Sequence, residues 1–163
     1  MKIGLISDTH DNIQNIQYAT SIFNDKNAGL VIHAGDIVSP EAVEAFSGVK
    51  LIGVLGNNDL EIDGLTNAFD KIGGQLKGEF YELVQDDLIF AIYHGTNSRR
   101  KESLIQSGKY DVVVCGHTHK IQNKKVGKTL VINPGTANGW FFGYSATAAV
   151  FDTKTREPEF LHL

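Results

Sequence analysis

The chain has 163 residues, of which 42% are hydrophobic and 21% charged, with a formal net charge of −4. Those proportions belong to a globular chain and exclude a disordered one. The acidic balance, with no basic run longer than Arg99-Arg100-Lys101, excludes the broad cationic face that non-specific nucleic-acid binding needs, and the single cysteine, Cys115, excludes an internal disulfide.

The opening Met1–Ile6 runs directly into Ser7-Asp8, too short an apolar stretch for an export signal or a membrane span, so a cytoplasmic location is expected. In chain order, Lys2–Ser7, Leu30–Ala34, Lys50–Leu55, Leu88–His94 and Asp111–Cys115 are continuous apolar runs, the pattern of strands buried on both faces. Helical segments fall between them. Asn12–Asn24 places Ile13, Ile16, Gln17 and Thr20 on one side, with Asp11 or Asn12 as its cap. Pro40–Phe46 starts behind Ser39, Leu65–Ile72 stops at Gly73-Gly74, and Arg99–Ser107 stops at Gly108.

Beyond residue 115 the pattern turns to strands alone: Ile121–Val126, Thr129–Ile132, Ala146–Asp152 and Glu159–Leu163, with a hairpin turn at Gly127-Lys128. The expectation is one α/β domain over residues 1–163, a partly parallel sheet with an added antiparallel one. No linker or internal repeat divides it.

The chemistry is concentrated where these runs stop. Asp8-Thr9-His10 follows the first, Gly35-Asp36 the second, Gly56-Asn57-Asn58-Asp59 the third, His94-Gly95 the Leu88 run and Gly116-His117-Thr118-His119 the Asp111 run. Open α/β sheets bind ligands beyond the carboxyl ends of their strands, so five distant tips are expected to meet at one site. Imidazoles with carboxylates suit zinc, manganese, iron, cobalt or nickel, and seven donors are enough for two ions sharing a carboxylate. G-H-x-H alone is expected by chance about 0.02 times at this composition, whereas D-x-H is common.

The ordered set D-x-H, G-D, G-N, H-G, G-H-x-H, over residues 8 to 119, resembles the calcineurin-like metallophosphoesterases. The short length and Ile132-Asn133-Pro134-Gly135 resemble the small YfcE-type prokaryotic phosphodiesterases of that family. The resemblance implies a four-layer α/β/β/α sandwich of two mixed sheets with helices outside. It implies a first metal on Asp8, His10 and His119, a second on Asn57, His94 and His117, Asp36 bridging both, and a bridging hydroxide that attacks phosphorus. Mn²⁺ or Ni²⁺ are the leading ions, with Zn²⁺, Fe²⁺, Co²⁺ or Mg²⁺ as further candidates, and the substrate is a small phosphodiester or nucleotide.

Two positions depart from the family pattern. Many relatives carry a histidine where this chain has Asn58; an amide contacts the phosphate or leaving group as a hydrogen-bond donor but gives up no proton near neutral pH. His94-Gly95-Thr96-Asn97 lacks a further histidine found in some relatives. Among neighbouring residues, His33 is expected to support the site from within its strand, Asp59 to orient a ligand, Asp11 to cap a helix and Cys115 to lie in the core. Arg99-Arg100-Lys101 reads as a solvated first turn, with contact of one of the three to a substrate phosphate as the alternative, and His162 reads as solvated. The Gly139–Tyr144 aromatic turn fits packing under the second sheet, a pocket wall, or a homo-oligomer contact through Trp140-Phe141-Phe142. A different class of function, a protein-interaction scaffold like the retromer subunit of this fold, is the alternative; a complete ligand set favours the enzyme.

Overall fold

The computed structural model describes residues 1–139, 143 and 145–163. The oligomer contact expected at Trp140-Phe141-Phe142 and the role of Tyr144 lie outside the described residues. Among the described residues, eleven strands and four helices follow one another as β1 (Lys2–Ile6), α1 (Ile13–Asp25), β2 (Ala28–His33), α2 (Pro40–Glu44), β3 (Leu51–Gly53), α3 (Ile62–Lys71), β4 (Gln75–Leu76), β5 (Phe80–Gln85), β6 (Leu88–Tyr93), α4 (Ser98–Gln106), β7 (Val112–Val114), β8 (Gln122–Val126), β9 (Thr129–Asn133), β10 (Thr147–Asp152) and β11 (Glu157–His162).

They form a six-stranded sheet in the order β11-β10-β1-β2-β3-β4 and a five-stranded sheet in the order β5-β6-β7-β9-β8. The first sheet is partly parallel, as expected; the added sheet, expected from the strand pattern to be antiparallel, is instead mixed, which agrees with the two mixed sheets that the resemblance implies. In the first sheet β1 to β4 run parallel while β10 and β11 are antiparallel, and in the second β6, β7 and β9 run parallel between antiparallel β5 and β8. The sequence signal failed because β10 returns to pair with β1, and nothing local to either strand records that partnership.

Three cores account for the layers. Ile3, Leu5, Leu30 and Ile32 of the first sheet face Phe90, Ile92, Val112 and Val114 of the second, which is why the strands read as unbroken apolar runs. The alternate residues Ile6, Val31 and Leu51 face α1 to α3, where Phe23, Phe46 and Phe69 are fully buried. Ala91, Val113, Cys115 and Val131 face α4 through Ile105. The result is the helix–sheet–sheet–helix sandwich that the resemblance implies.

Glycine lets helix side chains press on the first sheet: a Cβ on Gly4 would lie 2.9 Å from the Phe23 ring and one on Gly53 2.5 Å from Phe69. α1 buries Ile16, Ala19, Thr20 and Phe23, so its inner face is rotated from the expected one and Gln17 is exposed. Its cap is Asn12, whose side chain accepts the Asn15 N–H, and not Asp11. Ser39 caps α2 and Asn97 caps α4 in the same way. The β4 and β5 strands have no counterpart in the expected elements. β5 alternates half-buried and exposed residues at an edge, and its turn to β6 is Asp86-Asp87, both with positive φ (50° and 61°), as a tight hairpin turn requires. Among the described residues, no helix is long and apolar enough to cross a membrane.

Candidate metal centre

Parallel pairing puts the carboxyl ends of β1, β2 and β3 on one edge, through the registers Ile6↔His33 and His33↔Gly53. β6 and β7 end together through Ile92↔Val114. Within each edge the loops that follow the strands are stitched together. Asp8 N–H donates to Gly35 O (3.0 Å), His10 N–H to Asp36 O (3.2 Å) and Gly116 N–H to His94 O (2.9 Å). Across the sheets the His94 ring bonds Ala34 O through Nδ1 (2.8 Å), and His117 N–H donates to Asp8 Oδ2 (3.1 Å).

Those loops carry unusual backbone. Asp8, His10, Asp36, His117 and His119 all have positive φ, between 40° and 67°. A non-glycine residue in this region costs on the order of 1–2 kcal/mol and persists where its surroundings enforce it. Five such residues among the seven expected ligands mark where the fold stores strain, a pattern typical of functional sites.

The side chains converge. Asp8, His10 and His119 present ligand atoms that all lie within 4.8 Å of one another, and so do Asp8, Asp36 and His94. Asp8 Oδ1 is 3.1 Å from His119 Nε2 and 3.9 Å from the Nε2 atoms of both His10 and His94. Asp36 Oδ2 stands between the two sets, 3.3 Å from His94 Nε2 and 3.7 Å from His10 Nε2. His117 packs edge-on to His94 with ring centroids 5.2 Å apart. Asn57 lies at the exposed margin, its Oδ1 accepting the Thr96 hydroxyl at 3.4 Å. Donor side chains separated by more than a hundred residues thus share one basin.

The arrangement fits a cation. With Nδ1–H donated to Ala34 O, the neutral form of His94 would turn its Nε2 lone pair on the oxygens of Asp8 and Asp36. Among the described residues, Asp8 Oδ1 and His94 Nε2 are buried with no hydrogen-bond partner. Buried acceptors aimed at one another are costly unless a positive charge stands among them. Burial by itself would lower the His94 pKa, but the carboxylates of Asp36 and Asp8 outweigh it and raise it. Burial likewise works to raise Asp36, yet the facing His94 and the two donors of Asn58 hold its carboxyl well below the usual range. His117 is lowered by desolvation and by its neighbour His94.

Supporting residues complete the basin. Asp59, buried behind the β3 loop, accepts three backbone N–H bonds: from Asp36 (2.8 Å), Val38 (2.8 Å) and Gly56 (2.7 Å). It therefore orients the loop that carries Asp36 rather than a ligand side chain. Asn58 donates its backbone N–H to Asp36 Oδ1 and its amide to Oδ2.

His33 is buried; its Nδ1 accepts the Gly35 N–H and its Nε2 meets the Thr9 hydroxyl, so it braces two ligand loops. Cys115 is in the core, its thiol pushed up to about 11 by burial. His162 is exposed, as expected.

Sequence reading missed Ser7, whose hydroxyl holds Asp8 Oδ2 at 2.6 Å, and Thr136, whose hydroxyl donates to Asp8 O. It also missed Asn133, whose amide donates to Gly116 O and the Thr118 hydroxyl. A serine at the mouth of the Asp8 loop was the available signal for the first; Asn133 stood within the Ile132–Gly135 stretch with no role assigned to it, and Thr136 carried no signal.

Comparison with known proteins agrees with this geometry. Residues 1–156 match the calcineurin-like phosphoesterase superfamily domain. A phosphodiesterase of Methanocaldococcus jannaschii is 41% identical over 160 residues, covering 96% of each chain. The solved structure of an archaeal phosphodiesterase superposes with a TM-score of 0.93 at 40% identity over the whole of both chains. The Escherichia coli phosphoesterase YfcE shares the fold at 18% identity, TM-score 0.72, over 99% of this chain and 98% of that one. Vps29 of Entamoeba histolytica also does, at 17% identity and TM-score 0.73, over 100% and 99%. With its fold, its clustered donors and a family match over nearly its full length, this chain belongs to the calcineurin-like phosphoesterase superfamily.

Proposed function

We propose that this protein is a metal-dependent phosphodiesterase acting on small phosphodiesters or nucleotides in the cytoplasm, as one domain over residues 1–163. The observation that carries the reading is the pair of donor sets that share Asp8, with Asp36 between them. Asp8, His10 and His119 would hold one divalent cation, Asn57, His94 and His117 the other, and Asp36 both. Mn²⁺ or Ni²⁺ suit the mix of imidazole and oxygen donors, although Zn²⁺, Fe²⁺, Co²⁺ and Mg²⁺ remain in the same set. Two such ions, when bound, acidify water and stabilise charge on both the entering and the departing oxygen of a phosphoryl transfer.

The chain's own residues position and shield that chemistry. Asp59 fixes the Asp36 loop through its three N–H bonds, and Ser7 fixes one oxygen of Asp8, leaving the other directed at the histidines. Asn58, exposed beside Asp36, is a donor for a phosphate or leaving-group oxygen and supplies no proton. Departure of a poor leaving group therefore lacks the general acid that many relatives have at this position.

The alternative, a Vps29-like interaction scaffold, shares the fold, but a full complement of ligand-type residues favours the enzyme. Turnover of bis-p-nitrophenyl phosphate with Mn²⁺ or Ni²⁺, before and after chelation, separates the two. Chelation should abolish turnover, and Asp36→Asn should lose turnover and bound metal together. Equal turnover after chelation, or no metal uptake by the wild type, refutes the proposal.

A further inference from the structure

Beside Asn57 opens a cavity of about 370 Å³ whose walls include Asn57, Glu79, Tyr93, Thr96, Asn97 and Arg100. Asn57 precedes Asn58, which holds both oxygens of Asp36, so the cavity adjoins the donor basin and has room for one arm of a diester whose phosphorus sits there. Its size is that of a small-molecule site and matches a group no larger than a nucleoside.

Arg100 is the group best fixed there. Its guanidinium lies 4.8 Å from the Tyr93 ring centre and 5.6 Å from that of Phe80. The Tyr93 ring is buried, and its hydroxyl accepts the Asn97 N–H at 2.9 Å. Asn97 in turn caps α4 by accepting the Arg100 N–H at 3.0 Å. The cap fixes the backbone of Arg100, and its contacts with the Tyr93 and Phe80 rings hold the guanidinium beside them, which limits the ordering cost of binding.

Its carboxylate partner is weakly committed. Glu79 meets Arg100 Nη1 at 3.3 Å, with side chains 74% and 45% exposed. Exposed pairs of this kind contribute little, whereas a guanidinium grips phosphate through two parallel N–H bonds. A phosphate displaces Glu79 at small cost.

We propose that this cavity binds the second arm of the substrate and that Arg100 selects arms carrying a further phosphate. The inference rests on the phosphodiesterase reading and narrows its substrate class to small diesters bearing an additional phosphate within the span of a nucleoside. Arg100 is a specificity residue in this scheme and takes no part in bond breaking.

The test uses the manganese-loaded protein and two probes: thymidine 5′-(p-nitrophenyl phosphate) and the same compound phosphorylated at its 3′ oxygen. The wild type should prefer the 3′-phosphorylated probe in kcat/KM by about tenfold, mostly through KM. Arg100→Ala should bring that ratio to about one, Arg100→Lys should leave it intermediate because the charge stays but the fork is lost, and Glu79→Gln should raise it. Each ratio is taken within one protein, so a partly misfolded variant still reports. A wild-type ratio near one, or a preference that survives Arg100→Ala, overturns the inference while leaving the phosphodiesterase reading intact. No turnover of either probe by the wild type overturns both.

Discussion

Asn58 clasps both oxygens of Asp36, its backbone N–H reaching Oδ1 at 2.9 Å and its side-chain amide reaching Oδ2 at 2.8 Å. The same carboxylate faces His94 and His10. An amide at this position therefore serves two ends: it orients an acceptor, and it withholds a proton from the departing oxygen. In Asn58→His the second limit should be lifted. Rates on alkyl phosphodiesters should rise by up to about 10²-fold relative to p-nitrophenyl esters, the low end of what general acid catalysis gives. A leaving-group series measures this as a shallower dependence of log kcat/KM on leaving-group pKa. An unchanged slope means that another group already acts as the acid.

Asp59 is the hub of the Asp36 loop, because its two oxygens accept from Asp36, Val38 and Gly56. Removing a buried carboxylate that receives three N–H bonds leaves those donors unsatisfied. Asp59→Ala should destabilise the metal-free protein by about 3–5 kcal/mol, read as a shift in the urea midpoint. Metal affinity should weaken by about 10–100-fold, as for other changes just behind a ligand.

Gly56 tests how tightly the loops meet. A Cβ there would collide with the carboxylate of Asp36 and approach to within 2.5 Å of its backbone nitrogen, whereas a Cβ on Gly48 would meet open space. Gly56→Ala must move Asp36, and displacement of a reacting geometry by about 1 Å costs on the order of 10²-fold in rate. Gly48 has φ +94°, so Gly48→Ala should lower stability through backbone strain and leave kcat near the wild-type value. A kcat for Gly56→Ala equal to that of the wild type would show that the loop yields without moving the carboxylate.

His33 gives the metal-free protein a pH dependence of known sign. Desolvation lowers its pKa from 6.5 to about 4, against the opposing pull of Asp59 and Asp8. The folded state keeps the ring neutral while the unfolded chain protonates it near 6.5, so this contribution is complete above pH 6.5 and is lost as pH falls toward 4. The loss amounts to about 3 kcal/mol. In chelator, the wild type should lose more stability than His33→Gln between pH 6.5 and 4 by roughly that amount. Parallel stability curves for the two proteins would refute the assignment.

Much of this was readable along the chain. The five donor-bearing tips were legible because a strand buried on both faces leaves an unbroken apolar run, and a carboxylate, amide or imidazole at its end interrupts that run with a residue of another kind. Ser39 and Asn97 caps, the α3 stop at Gly73 and the Gly127-Lys128 turn were local chemistry, and the structure has them. β5 was not legible, since an edge strand with half its residues in solvent shows no apolar run and an Asp-Asp turn lacks the glycine that usually marks a hairpin.

By itself, then, the sequence determined the donor types, their order and the strands that end in them, because those depend on periodicity and residue chemistry over a few positions. The tertiary structure alone decided that β10 joins β1, that Asp8 serves both donor sets, that Asn58 is turned on Asp36, and that Arg100 lies over Tyr93. Each of these joins residues far apart in the chain through packing and hydrogen bonds that form once the two sheets have closed on their shared core, and no local pattern encodes such a distance.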